Sequence, residues 1–339
     1  MNKDEFIRYV SSELEHGRDI DLEYQINGIP YKIKFLATDM NKGINIPCIL
    51  AIPLSENTNS QLVVEANNLE SENFQEIIEQ GTQTGIRLAQ LTRDLPSPIV
   101  IPLIPSYRDY PYLQQLSQEC FSISRDDRNY RIDEQVVKII GRAKSILEQE
   151  RGLVVKDRIF LNGYSSSGVF AQRFALLHPD IVETACIGGA SIPTEKFAYP
   201  LGVADYESLT GKRFDLESYS KIKFRYYVGE LETQNKSNSR FDDFGQPAPM
   251  HDMSYFDRSV PTEVGKYQRS VLGTEMFSRA QKTIQILQSL GIDVQHKIIL
   301  GRGHNNRNGI GVNELGDKFV NDTYKSTIKS REINYGVSR

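Results

Sequence analysis

The residues best placed to do chemistry lie in the run Ile159-Phe-Leu-Asn-Gly-Tyr-Ser-Ser-Ser-Gly-Val-Phe-Ala-Gln-Arg-Phe-Ala-Leu-Leu-His-Pro179. Residues 158–162 read as a short buried strand and residues 166–177 as a helix, with serines in the tight turn between them. Val169, Phe170, Ala171 and Phe174 give that helix an apolar face. His178-Pro179 stops it, since proline cannot continue the ladder. A serine on such a turn is pushed out of the backbone, its hydroxyl exposed at the carboxyl end of a sheet. The matching chemistry is nucleophilic attack on a carbonyl carbon, which needs a base to take the serine proton and an acid to orient that base. A serine-rich helix start also caps backbone N–H groups, so each position is weighed by what surrounds it. The turn demands small residues two before and two after the nucleophile, because the helix crosses close to the strand. Ser165 has Gly163 and Ser167 at those places, whereas Ser166 would put Tyr164 at the crowded one. Ser165 is therefore the predicted nucleophile.

The turn resembles the nucleophile elbow of the α/β-hydrolase superfamily, whose usual form is Gly-x-Ser-x-Gly. Here Ser167 stands where the second glycine is usual, and Gly168 follows one position later. The resemblance covers residues 45–325 and rests on element order plus three motif positions. It implies an α/β fold, a mostly parallel central sheet with helices on both faces, and an acid after the seventh strand and a histidine after the eighth. Of the five histidines, His16 falls in a polar N-terminal helix, His178 at a helix end, His251 in an irregular stretch and His296 inside a strand. His304 follows the apolar strand 294–300 in the loop Gly301-Arg-Gly-His304, and is the implied base. The Gly301-x-Gly303 pair lacks the third glycine and the βαβ unit of a dinucleotide site. The strand 223–228 ends in Gly229-Glu-Leu-Glu232, where such hydrolases often carry Asp at the fourth position. Glu232 is the implied acid, with Asp242 and Asp243 as rivals and Glu230 pointing elsewhere.

An acyl-transfer site also needs an oxyanion hole. The resemblance implies one donor in the Ser166 N–H and another in the loop after the third strand, Asn67-Asn-Leu69. Asn68 is taken as that donor, against the plain reading of a turn asparagine. The segments Ala198-Tyr-Pro-Leu-Gly-Val-Ala-Asp205 and Leu209-Thr-Gly211, with His178-Pro179, resemble a group of bacterial α/β hydrolases whose proposed activity is general serine ester hydrolysis.

The elements that must position these groups are legible along the chain. Periodicity predicts a helix over residues 3–14 and strands over 21–26, 31–36, 46–52 and 61–66. A helix over 71–91, a strand over 99–104, a helix over 133–147 and a strand over 182–187 follow, with a helix over 276–290 before the histidine strand. Alternating buried strands and helices mean a mostly parallel sheet covered on both faces. A length of 339 residues suits one domain, with residues 1–45 forming a leading helix and strands. Residues 233–268 are a polar, aperiodic insert carrying Phe241, Phe244, Met250, Met253, Tyr255 and Phe256. They read as a cap over the serine or, equally, as an ornamental loop. Tyr164, Asn67, Tyr107 and Phe256 are the expected substrate contacts, although the aromatic run holding Tyr107 also suits simple loop packing.

Composition sets bounds. A formal charge of −4 with scattered basic residues gives no electrostatic case for nucleic acid. No apolar run has the length of a membrane span, and the first residues lack a signal-peptide apolar region. Cys48, Cys120 and Cys186 are odd in number, and Cys48 and Cys186 lie in apolar strands, so a reducing, cytoplasmic compartment is expected. No Walker loop, internal repeat or metal-ligand spacing stands out, so no cofactor is expected; no apolar helix face sets an oligomeric state. The expected activity is that of a serine esterase on a small-molecule ester. Acyl transfer or peptide cleavage through the same acyl-enzyme, or a noncatalytic binding protein on the same scaffold, are the alternatives.

Overall fold

The computed structural model describes residues 2–68, 71–106, 113–190, 197–230, 232, 270–273, 275–303 and 312–335. The described strands are β1 (Ile20–Ile26), β2 (Ile29–Leu36), β3 (Cys48–Pro53), β4 (Val63–Val64), β5 (Ile99–Pro102), β6 (Ile159–Tyr164), β7 (Val182–Gly188), β8 (Lys223–Gly229) and β9 (Val294–Ile299). The α-helices are α1 (Lys3–Glu15), α2 (Phe74–Leu91), α3 (Glu119–Ser122), α4 (Ile132–Arg151), α5 (Ser166–Leu177), α6 (Tyr206–Thr210), α7 (Leu216–Ser220), α8 (Met276–Ser289) and α9 (Val312–Tyr335).

All nine strands form one sheet in the order β1-β2-β3-β5-β4-β6-β7-β8-β9. From β5 across to β9 every pairing is parallel. The β1–β2 hairpin and β3 extend that sheet antiparallel at one edge. The exchanged places of β4 and β5 and the antiparallel β3 are the strand arrangement of the α/β-hydrolase fold expected from the sequence.

Side chains alternate across the sheet because a strand has period two. Leu50, Val100, Ile159, Leu161 and Ile187 point to one face, where α4, α5 and α8 supply Val136, Ile140, Phe170, Phe174, Ile284 and Leu287. Ile49, Ile101, Phe160 and Cys186 point to the other, covered by α1, α2 and α9 through Val10, Ile77, Leu88, Val320 and Tyr324. Each such side chain fully removed from water stabilises the fold by about 1.5–3 kcal/mol before entropy is counted. Burial on both faces explains the apolar run of β5 and of the first half of β6, whereas β9, at the sheet edge, is largely exposed.

The elements differ from the sequence expectation mainly at their ends. The strand expected over residues 61–66 shrinks to Val63–Val64, β4, although the Glu65 N–H still reaches the Val100 carbonyl at 3.2 Å. Helix α2 starts at Phe74 because the Asn73 side chain caps the Gln75 N–H at 3.0 Å. Helix α4 runs on to Arg151, where Gly152 at φ 60° ends it. Helix α5 was expected to have one apolar face; only Val169 of its twelve residues escapes burial. Cys48, Cys120 and Cys186 are buried free thiols, and burial pushes the Cys48 thiol up to about 12. Among the described residues no helix is long and apolar enough to cross a membrane.

Candidate active site

Strand β6 delivers the serines at the carboxyl end of the sheet, and the chain turns at once into α5. Ser165 takes the whole bend, with φ 58° and ψ −116°, a region that L-residues rarely occupy. Its N–H donates to the Gly188 carbonyl on β7 at 2.8 Å, and its carbonyl accepts the Val169 N–H at 3.0 Å. The strain is held by neighbours on both sides, the usual condition for such a backbone at a functional position. A Cβ on Gly163 would stand 2.1 Å from the Ser167 carbonyl oxygen, and one on Gly168 would stand 2.8 Å from the Gly188 carbonyl oxygen. Strand and helix can therefore cross here only because both residues are glycine. The delayed glycine serves the contact with β7, while Ser167, two after Ser165, folds its side chain back into the turn. Its Oγ accepts the Tyr164 N–H at 2.9 Å and lies 3.0 Å from the Tyr164 carbonyl and 3.4 Å from Glu65 Oε1.

Beneath the elbow sits a charged group that sequence reading passed over. Glu65 is 3% exposed. Both its oxygens accept from Arg87 Nη2 on α2 at 2.7 Å, and Oε2 accepts from Asn162 Nδ2 on β6 at 2.6 Å. Arg87 also donates to Asp317 on α9 at 3.0 Å. Burial works against the Arg87 charge, but Glu65 and Asp317 outweigh it and hold the guanidinium firmly protonated. A glutamate inside the apolar run Leu62-Val-Val-Glu-Ala66 was the available signal, since a buried carboxylate must be paired.

Ser166 is the first residue of α5, so its N–H belongs to the helix turn that lacks intrahelical acceptors and carries the positive end of the dipole. Its Oγ accepts from Gln115 Nε2 at 2.9 Å and from Gln114 Nε2 at 3.5 Å. The loop after β4 is clamped from two directions. Asn67, fully buried, donates through Nδ2 to the Ile104 carbonyl at 2.9 Å and accepts the Ile104 N–H at 2.8 Å. It holds the loop to the segment just after β5. The Asn68 N–H donates to Gln80 Oε1 at 3.1 Å, so this backbone group already has an acceptor. The Asn68 side chain instead accepts the Ser167 N–H through Oδ1 at 2.9 Å.

Glu232 stands in the turn after β8 and is 1% exposed. Its Oε1 accepts the Gly229 N–H at 2.8 Å, and its carbonyl accepts the Phe277 N–H of α8 at 3.0 Å. Tyr164, next to the nucleophile, is stacked on Tyr227 with ring centroids 5.8 Å apart. Burial pushes the Tyr164 phenol up, and the Glu232 carboxylate adds to it. The loop after β9 lies against the turn that holds Glu232: a Cβ on Gly229 would stand 2.3 Å from the Arg302 carbonyl oxygen, and the Gly301 N–H donates to Glu230 Oε2 at 2.8 Å. Glu230 therefore braces this loop. His304, Tyr107 and Phe256, with Asp242, Asp243 and the 233–268 insert, lie outside the described residues.

One trio of possible metal ligands that the sequence spacing did not reveal does occur. Asp133, Glu134 and His178 bring ligand atoms within 4.8 Å of one another. Arg131 bonds both carboxylates, Asp133 at 2.8 Å and Glu134 at 3.0 Å, and His178 Nε2 lies 2.9 Å from Asp133. The acidic charge is already answered by a guanidinium, so the trio is an ion network tying α4 to the end of α5.

Strand order, helix layering and a serine at a strained strand-to-helix turn together define the class: this is an α/β-hydrolase fold. No family model matches the sequence, and no curated protein matches it. Solved structures do resemble the chain. A poly(aspartic acid) hydrolase-1 from Sphingomonas sp. KT-1 is 15% identical, with 88% of this chain and 97% of that one covered at a TM-score of 0.48. An S-formylglutathione hydrolase from Agrobacterium tumefaciens is 11% identical, covering 91% and 98% at 0.47. A poly(3-hydroxybutyrate) depolymerase from Bordetella parapertussis is 13% identical, covering 94% and 92% at 0.44.

Proposed function

We propose that the protein is a serine hydrolase that cleaves a carboxylic ester through an acyl-enzyme on Ser165. The observation that carries the reading is the Ser165 backbone, held at φ 58° where β6 turns into α5. Such conformations persist only where the surrounding structure over-determines them, and they cluster at active sites. Glu232, buried in the turn after β8 against which the loop residue Arg302 packs, supports the role of orienting acid. His304, which follows the Gly301–Gly303 loop in sequence, is the proposed base.

In this mechanism His304 takes the Ser165 proton as Oγ bonds to the ester carbonyl carbon, and the carbonyl π pair moves onto oxygen. Glu232 holds the imidazole in the tautomer that accepts the proton and stabilises the imidazolium that forms. The Ser166 N–H, at the positive end of α5, stabilises the oxyanion. The tetrahedral intermediate collapses with loss of the alcohol, which takes the proton from His304. Water, deprotonated by His304, then attacks the acyl-enzyme, and the carboxylic acid leaves as Ser165 is reprotonated.

A fluorophosphonate tests the reading alongside a panel of esters, alcohols, amines and peptides. Modification of Ser165, its absence in Ser165→Ala and turnover of an ester are the expected results. Transfer to an added alcohol or amine in preference to water would reassign the same acyl-enzyme to a transferase, and peptide cleavage would reassign it to a peptidase. A folded protein that neither labels nor turns over any ester is a binding protein on this scaffold.

A further inference from the structure

The antiparallel edge of the sheet holds a cavity of about 520 Å³, and no residue of the Ser165 elbow lines it. Its floor follows from one cross-strand row. Leu22 of β1 pairs with Ile33 of β2, Ile33 with Ala51 of β3, and Ala51 with Ile99 of β5. Paired residues share a face of the sheet, so the single alanine leaves a dip between larger neighbours. Helix α1 packs over β2 through Phe6, edge-on to Phe35 with ring centroids 6.0 Å apart. Helix α2 contributes Ile86 to the wall. Phe6, Leu22, Ile33 and Ile86 all line the cavity, and all four stay only partly buried. Scattered half-exposed apolar residues are ordinary, but four converging on one concave space mark a binding site. The volume falls within the roughly 300–1,000 Å³ of small-molecule pockets.

The exposed lining residues Asn2, Lys3, Tyr24 and Gln83 mark the mouth. There Lys3 Nζ donates to Glu79 Oε1 at 2.5 Å, and Gln83 Nε2 donates to the same oxygen at 3.1 Å. The two rim charges answer each other. A charged ligand head would have to break that pair or sit beside a like charge, and it would lose water besides. A hydroxyl meets neither penalty and can bond to the neutral amides of Asn2 and Gln83. We infer that this cavity binds a neutral amphiphile of the fatty-alcohol class, its alkyl body over Ala51 and its hydroxyl at the mouth. Apolar burial supplies the affinity, and the paired rim selects against fatty acids and amines. The inference is independent of the hydrolase reading of Ser165.

The chain contains no tryptophan, so Tyr24→Trp places a single reporter at the mouth. Its emission excites bound N-phenylnaphthylamine, a neutral fluorophore. Saturable energy transfer at micromolar fluorophore is expected, reversed by dodecanol at a concentration at least about tenfold below that needed for dodecanoate or dodecylamine. Decanol should displace about 15-fold more weakly than dodecanol, since it buries two fewer methylenes. In the same background Ala51→Leu raises the floor and should weaken fluorophore and alcohol binding by about 10-fold or more, with melting temperature unchanged or higher. Ile33→Phe, which adds bulk at a partly exposed wall position, should do the same and serves if Ala51→Leu does not fold. Absence of saturable transfer would overturn the inference. So would transfer that the folded filling variants leave unchanged, or displacement by dodecanoate at or below the concentration that dodecanol requires.

Discussion

Replacing Ser165, the proposed nucleophile, with glycine should leave the protein more stable than replacing it with alanine. Ser165 sits at φ 58°, ψ −116°, a conformation that glycine adopts freely and a Cβ-bearing residue does not. Holding such a residue there costs on the order of 1–3 kcal/mol. Glycine gives back about 0.5–1 kcal/mol through the greater freedom of the unfolded chain. The proper comparison is Ser165→Gly against Ser165→Ala, because both remove the hydroxyl and its contacts while only alanine keeps the Cβ. The glycine variant should be the more stable of the two by about 0.5–2 kcal/mol. With a urea slope of about 3 kcal/mol/M for a chain this long, the midpoint should rise by about 0.2–0.7 M at unchanged slope. The chain contains no tryptophan, so far-UV circular dichroism is the suitable signal. A glycine variant that unfolds at the same or lower urea concentration than the alanine variant would refute the claim that the elbow stores strain. It would also remove the observation on which the hydrolase reading most depends.

Two further substitutions probe neighbouring features. Gly163→Ala places a methyl group 2.1 Å from a backbone carbonyl that has no room to yield. It should cost about 1–3 kcal/mol or more and abolish fluorophosphonate labelling of any folded fraction; a normally stable, normally reactive variant would contradict the crossing geometry. Asp133 is fully buried, and although burial alone would raise its carboxyl, the Arg131 fork and His178 hold it well below the usual range. A carboxyl with a depressed folded pKa contributes fully above its unfolded value, about 3.9, and that contribution is lost as pH falls toward the folded value. Asp133→Asn should therefore lose about 3–5 kcal/mol at pH 7, and its deficit against wild type should shrink below pH 4. A deficit constant from pH 7 to pH 3 in urea titrations would show that the ion network is not what Asp133 supplies.

How much of this was legible in the chain depended on the range of the interactions. Helix α5 begins and ends where the sequence places it, because a serine turn and a His-Pro pair are local signals that no distant contact overrides. The parallel strands were equally plain, since burial on both faces leaves an apolar run. The clamps around the site were not, because each joins groups far apart in sequence. Asn68 meets Gln80 twelve residues on, Asn67 meets Ile104 across 37, and Glu65 meets Asn162 across 97. An asparagine pair after a strand looks the same whether it faces solvent, substrate or a neighbouring backbone, and only the fold decides among them. The bond of Asn67 to Ile104, just after β5, is of this kind.

The oddity of the elbow and the buried glutamate beneath it are one feature. A glycine two after the nucleophile would leave nothing to satisfy at that place; a serine there brings a hydroxyl into a dry crossing, where an unmet polar group costs about 1–3 kcal/mol. Ser167 meets the cost by accepting the Tyr164 N–H and reaching both the Tyr164 carbonyl and Glu65. Glu65 can occupy that position only because Arg87 and Asn162 neutralise and hydrogen-bond it, and Arg87 is held in turn by Asp317 on the C-terminal helix. The departure from the Gly-x-Ser-x-Gly pattern is therefore compensated by a polar column running from α9 through α2 and β4 into the turn that exposes Ser165. Read this way, the serine in the glycine's place is a reason to look beneath the elbow, and it counts little against the elbow itself.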